Sequence, residues 1–140
     1  MHEEKLIREA VRLEAEIFSD AWSENSIRET ASQPHAIIFG EWEGDSLLGY
    51  LIFYFVMDEG EIARIAVAPE SRRQGAGGRL LRQAEAFCAE HGIRRMLLDV
   101  RESNISAREF YEKHGFSQDG IRKKFYTDPQ EDAILMSRKL

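Results

Sequence analysis

The sequence predicts a three-layer α/β domain, a mixed central sheet flanked by helices, and three observations carry that expectation. Helical spacing and strand texture alternate in the order helix, helix, three strands, helix, strand, helix, two strands. An apolar strand runs into the loop "VAPESRRQGAGGRLL", which collects arginines and glycines and opens a helix, and a second strand follows that helix. The chain has 140 residues, enough for one core and not two, so a single domain over residues 1–140 is expected.

Leu6, Ile7, Ala10, Val11, Ile17 and Phe18 recur at helical spacing and predict an opening amphipathic helix. "AWSENSIRE" predicts a second. Ser23 suits an N-cap there, Trp22 and Ile27 occupy the staple positions, and Pro34 helps end the helix. "AIIFGEWE", "LLGYLIFYFVM" and "EIARIAVA" are rich in β-branched and aromatic residues and are parted by "GDS" and "DEG" turns, which reads as an antiparallel meander. Leu80, Leu81, Ala84, Phe87, Cys88 and His91 share one face of the next helix, with Gly92 at its C-terminal cap. "RRMLLDV" lacks polar alternation in its middle and predicts a strand covered on both faces. The unit from Ile62 to Val100 is then expected to be a right-handed crossover with parallel strands. A further helix carries Ala107, Phe110, Tyr111 and His114 in one stripe and closes at Gly115; "GIRKKFY" and "DAILMSRKL" supply the last strands.

Net charge is −6, which argues against direct nucleic-acid binding and suits a cationic partner or a solvated acidic surface. The longest apolar run, Leu47 to Met57, is too short for a membrane span of about 20 residues. The charged start "MHEEKLIREA" has no signal core, so a cytoplasmic protein is expected, with no membrane partner. The single cysteine, Cys88, excludes an internal disulfide and reads as an inert core residue beside Ala84 and Phe87. His2, His35, His91 and His114 show no metal-ligand spacing, so no metal is expected.

The glycine loop fits neither of two common phosphate cradles. A P-loop needs Gly-Lys-Ser/Thr, and here Arg79 and Leu80 follow the glycines. The dinucleotide fingerprint needs glycine where Leu80 stands. What remains is Arg72-Arg73-Gln74-Gly75-Ala76-Gly77-Gly78, spaced R-x-x-G-x-G. Glycines let main-chain N–H groups converge, and the helix dipole adds positive potential, a combination that suits a pyrophosphate. Arg72, Arg73 and Arg79 add charge. A glycine turn with a solvated basic face has the same composition, and the loop alone does not separate the two.

Its neighbours do. "AWSENSIRE", "IARIAVAPESRRQGAGGRLL", "LLDVRESNISAREFYEKHGF" and "GIRKKFYTDPQEDAILM" together resemble, in order and over most of the chain, the GNAT superfamily of N-acetyltransferases. That family's acetyl-CoA loop reads Q/R-x-x-G-x-G/A between a strand and a helix. The last stretch brings the resemblance closest to the RimI-type branch, which acetylates the N-terminal alanine of a ribosomal protein. The resemblance implies a GNAT fold, acetyl-CoA as co-substrate and the N-terminal amine of a protein as acceptor. It implies that Ile65, Ala66 and Val67 bind the pantetheine arm and thioester carbonyl through their main chain. Arg73, Gln74, Gly75, Ala76, Gly77 and Gly78 would wrap the pyrophosphate, Asn104 would contact the cofactor arm, and Tyr111 would be the general acid.

Asp99 stands where RimI-type enzymes carry a glutamate base; aspartate is shorter by about 1.5 Å, one carbon–carbon bond, a distance a water can bridge. A structural carboxylate bonded to Arg101 or a loop amide is the competing role. Three further departures bear on fold and acceptor. The family's first strand is expected to be missing or vestigial, Phe125-Tyr126-Thr127 replaces Tyr-Tyr-Pro, and Arg64 replaces asparagine. Two rival functions stay open: acetylation of a small-molecule amine or lysine, and a non-catalytic acetyl-CoA-binding module. The sequence leaves the oligomeric state undetermined.

Overall fold

The computed structural model describes residues 2–140. Helix α1 (His2–Ile17) and helix α2 (Glu24–Ser32) precede strands β1 (Ala36–Glu43), β2 (Ser46–Val56) and β3 (Glu59–Val67). Helix α3 (Ala76–His91), strand β4 (Arg95–Arg101), helix α4 (Ile105–Lys113) and strands β5 (Ser117–Tyr126) and β6 (Glu131–Lys139) complete the chain. The element order is the expected one, and no strand precedes α1 among the described residues. Ser23 caps α2 as its sequence suggests, its Oγ accepting the Ser26 N–H at 3.1 Å. Gly92 closes α3 with φ +69°, a left-handed conformation open to glycine at little strain.

The six strands lie in the order β1-β2-β3-β4-β6-β5, and only the β3–β4 pair is parallel. Strand alternation divides the apolar residues between two cores. Tyr50 and Ile52 meet Ala10 and Leu13 of α1, while Leu51 and Phe53 join a larger cluster with Leu80, Leu81, Ala84 and Cys88 of α3. The strand covered on both faces is therefore β2. In β4 only Met96, Leu98 and Val100 are buried, and Leu97, Asp99 and Arg101 are half-buried, because α1 and α2 pack over β1 to β3 and stop short of β4. His91 also departs from expectation. It lies outside the core, its ring stacked 4.0 Å from that of Phe87.

The feature that positions the site is the brevity of the β3–β4 ladder. It joins Glu59, Gly60 and Glu61 to Arg95, Met96 and Leu97, and then ends. Next along β3, Ile52 pairs with Arg64 but Phe53 pairs with Ile62, leaving Ala63 as the extra residue of a β-bulge. A bulge bends the strand that carries it. Beyond it β3 stays with β2 while β4 stays with β6 through Arg101, so the sheet forks.

Candidate active site

One branch of the fork leads into the glycine loop. A short 3-10 turn, Pro69–Ser71, is followed by an exposed turn over residues 72–75, and Gly75 enters α3 with φ +82°. The first helical bond runs from the Arg79 N–H to the Gly75 carbonyl at 3.0 Å, so the N–H groups of Ala76, Gly77 and Gly78 have no helical partner. Neither a side-chain cap nor an acidic residue in the first turn competes for them. That leaves a helix end suited to an anion.

The glycines also bring helices together. A Cβ on Gly77 would stand 3.0 Å from the Phe110 ring, and one on Gly78 would stand 3.2 Å from His114, so α4 seats against the first turn of α3 only because both lack side chains. Two of the three arginines are already engaged. Arg72 donates to the Val67 carbonyl at 3.1 Å, and Arg79 donates to Glu41 at 2.6 Å and to the Gln74 carbonyl at 2.9 Å. Arg73 makes no side-chain hydrogen bond among the described residues.

Ile65, Ala66 and Val67 lie on the β3 branch where β4 has departed. The Ala68 N–H donates to the Leu48 carbonyl at 2.7 Å. Alternation from that bond turns the main-chain groups of Ala66 toward β2 and those of Ile65 and Val67 into the gap. Asn104 caps α4, its Oδ1 accepting the Ala107 N–H at 3.2 Å.

Tyr111 is buried at 6% exposure, with Phe110 and Phe116 edge-on at 5.4 and 5.6 Å. Burial pushes its phenol well above the ordinary range, and the charge of Tyr126 adds to that. A tyrosine in such a place usually has a bonded hydroxyl. This hydroxyl has no partner among the described residues, and it is not sealed from solvent either.

On the α1 face, the angle of the fork is a cleft of about 230 Å³ lined by Glu61, Ile62, Ala63, Asp99, Phe125 and Tyr126. Asp99 has no hydrogen bond or ion pair among the described residues. Arg101 is occupied elsewhere, at 3.2 Å from Glu131, 3.1 Å from the Pro129 carbonyl and 3.2 Å from the Thr127 carbonyl. The competing structural role for Asp99, a bond to Arg101, is therefore absent. Burial, then the charge of Asp99, pushes the Tyr126 phenol up to about 12. Partial burial and Asp99 likewise raise the Glu61 carboxyl.

Glu61 had no signal of its own in the sequence: it shares the cleft because Glu61 pairs with Leu97, two residues before Asp99 on the same face of β4. A larger, open depression of about 590 Å³ lies beside α2, on Trp22, Ser26, Glu29, His35 and Tyr54, and holds none of the expected site residues. Among the described residues no group of three or more His, Cys, Asp or Glu stands together as a metal site, and no helix is long and apolar enough to cross a membrane.

Residues 6–116 match the Acetyltransferase (GNAT) family. The chain is 39% identical over 125 residues to a candidate ribosomal protein bS18-alanine N-acetyltransferase of Bacillus subtilis, covering 89% of this chain and 83% of that one. It is 32% identical over 130 residues to the ribosomal protein bS18-alanine N-acetyltransferase of Escherichia coli, covering 91% and 87%. The crystal structure of the Escherichia coli ribosomal-protein-S18-alanine N-acetyltransferase superposes with a TM-score of 0.87 at 30% identity, over 95% of this chain and 86% of that one. A candidate streptothricin acetyltransferase of Bacillus anthracis, solved in complex with acetyl coenzyme A, gives a TM-score of 0.73 at 26% identity over 81% and 67%. An uncapped glycine-rich helix end beside a forked sheet thus sits in a chain that belongs to the acetyltransferase (GNAT) family and is an acetyl-CoA-dependent N-acetyltransferase.

Proposed function

We propose that the acceptor is the N-terminal α-amine of a protein, with the alanine of a ribosomal protein as first candidate because the relatives carry that activity in their names. The observation that carries the reading is a free, uncapped helix end beside the forked sheet, with two unbonded groups on the elements around the fork: the Tyr111 hydroxyl on α4 and the Asp99 carboxylate on β4. The residues fit acetyl-CoA. The N–H groups of Ala76, Gly77 and Gly78, with Gln74 and Gly75 in the turn and Arg73 above it, would hold the pyrophosphate. The gap-facing main chain of Ile65 and Val67 would pair with the pantetheine arm, and Asn104, whose Oδ1 caps α4, would contact that arm as the family resemblance implies. Bound there, acetyl-CoA supplies an electrophilic thioester carbonyl.

This chain supplies orientation and proton transfer. A main-chain N–H of the β3 branch polarises the carbonyl oxygen. The Asp99 carboxylate takes a proton from the incoming ammonium through a water, and the neutral nitrogen then attacks. Tyr111 gives its hydroxyl proton to the departing sulfur; its raised pKa keeps that proton in place at neutral pH. An α-amine titrates near about 7.7–8.0 and lysine near about 10.4, so a modest carboxylate base suffices for the first and falls short for the second.

The test incubates the protein with acetyl-CoA and a short basic peptide beginning with alanine, beside an N-terminally blocked copy that keeps its lysines. Thiol release and a mass gain on the free-ended peptide alone is the expected result. Acetylation of the blocked peptide would move the acceptor to lysine, and binding of acetyl-CoA without thiol release from either would support a non-catalytic module.

A further inference from the structure

The turn that enters α3 is held from outside by a side chain that the reaction leaves unused. Residues 72–75 contain two left-handed positions, Arg73 at φ +66° and Gly75 at φ +82°. A residue with a side chain, such as Arg73, adopts that conformation at a cost and keeps it only where neighbouring contacts hold it. Hydrogen bonds hold this turn at both ends. Arg72 donates its Nε to the Val67 carbonyl at 3.1 Å, and Arg79 donates its Nη1 to the Gln74 carbonyl at 2.9 Å.

Arg79 is itself anchored. Its Nε donates to Glu41 of β1 at 2.6 Å, and that carboxylate is largely buried. Gln83, one helical turn further along α3, donates to the other Glu41 oxygen at 3.2 Å and to the Gly40 carbonyl at 2.9 Å. Gln83 and the buried face of Leu80, Leu81 and Ala84 already fasten α3 to the sheet, so what Arg79 adds is its reach to the turn. The guanidinium passes so close that a Cβ on Gly75 would stand 3.1 Å from Nη1. Fixing the Gln74 carbonyl also aims the far side of its peptide plane, because in a trans peptide the Gly75 N–H points away from the Gln74 oxygen.

We propose that Arg79 is a positioning residue for acetyl-CoA: anchored on Glu41, it fixes the Gln74 carbonyl and with it the turn whose main-chain N–H groups receive the pyrophosphate. This rests on the pyrophosphate placement given above, and the lining of the groove remains main chain. Glu41 matches the charge of Arg79, so the contribution is shape rather than added positive potential. A direct phosphate ligand would have to leave Glu41. The two roles therefore predict opposite signs when Glu41 is changed.

Calorimetry would compare acetyl-dephospho-CoA, which keeps the pyrophosphate, with acetylpantetheine, which lacks it. Arg79→Met is expected to raise the Kd for acetyl-dephospho-CoA about tenfold, the loss of a hydrogen bond from a charged donor. Glu41→Gln, which leaves the arginine in place, raises it about threefold, and the double variant is no worse than Arg79→Met alone. The Kd for acetylpantetheine stays within about twofold of the parent in all three. Glu41→Gln is the milder change and keeps the test of sign available if Arg79→Met loses the fold. Tighter binding of acetyl-dephospho-CoA by Glu41→Gln would mark a guanidinium released to reach phosphate, and would overturn the proposal. Equal losses for both thioesters, the mark of a loosened α3, would overturn it as well. If the parent binds the two thioesters equally, the pyrophosphate placement falls and the proposal falls with it. If the parent discriminates and the variants match it, the proposal alone is overturned.

Discussion

Where α3 meets the fork, the groove is lined by main chain: free N–H groups at an uncapped helix end, and a strand whose neighbour has left. On the other face of the sheet the lining is side chains from distant parts of the sequence, Glu61, Ile62 and Ala63 of β3 against Asp99, Phe125 and Tyr126, with Arg101 held between Glu131 and the Tyr126 ring. Acetyl-CoA is bound by relatives named for quite different acceptors, and main chain with glycine can serve it whatever the surrounding side chains. Acceptors differ, and side-chain contacts can be exchanged one at a time. The comparison teaches where this chain is free to vary.

If the two sides are independent, substitutions should separate them. The largest effect is expected at the junction: Tyr111→Phe lowers kcat by about 10²- to 10⁴-fold while calorimetry finds acetyl-CoA binding unchanged. Asp99→Asn, on the acceptor side, lowers kcat by about 10²-fold at neutral pH. The loss shrinks in alkaline buffer as more of the amine arrives already neutral, and a pH–rate profile would show it. A loss that stays constant with pH would deny Asp99 the role of base.

Gly77→Val addresses the cofactor side. The new side chain meets the Phe110 ring, destabilises the fold by about 1–3 kcal/mol in denaturant titration, and raises the KM for acetyl-CoA but not that for the peptide. Glu61→Gln is the mildest. Partial burial and Asp99 hold the Glu61 carboxyl above its ordinary range, so the folded state binds that proton more readily than the unfolded chain. Its ionisation weakens the fold as pH rises through the raised value. Glu61→Gln therefore raises Tm slightly at pH 7, and the gain fades toward about pH 4, where the carboxyl is protonated in both states. Glu61 stays largely exposed, and solvent screening keeps the effect small.

The fold and the glycine turn with its uncapped helix end were legible because their signals are local. The Ser23 cap, the turns of the meander and the run from Val67 to Leu81 each complete their message within a few residues. The side-chain surroundings of the cleft were not. Glu61 acquires its place from a parallel register with Leu97, which no spacing encodes. The reading of β4 as doubly covered failed for a related reason: a short apolar run reports burial without reporting which layer is absent, and here β4 extends beyond the reach of α1 and α2. Arg72 and Arg79 looked like phosphate ligands because charge near a glycine loop is visible in a sequence, whereas their engagement with Val67 and Glu41 depends on the tertiary fold.

The three-residue ladder between β3 and β4 has a consequence for how the molecule coheres. Hydrogen bonding across the middle of the sheet is nearly severed, and β1-β2-β3 is joined to β4-β6-β5 mainly through the apolar layer beneath α3 and α4. An extended ligand arm bound in the gap, as proposed above, would act as a seventh strand that completes the ladder. Substrate binding and the cooperativity of the fold thereby become one equilibrium: a ligand at 100 times its Kd adds about 2.7 kcal/mol to the native state. Loaded with acetyl-CoA, the protein is expected to resist unfolding and proteolysis better than the empty one, and limited proteolysis with and without acetyl-CoA measures the difference.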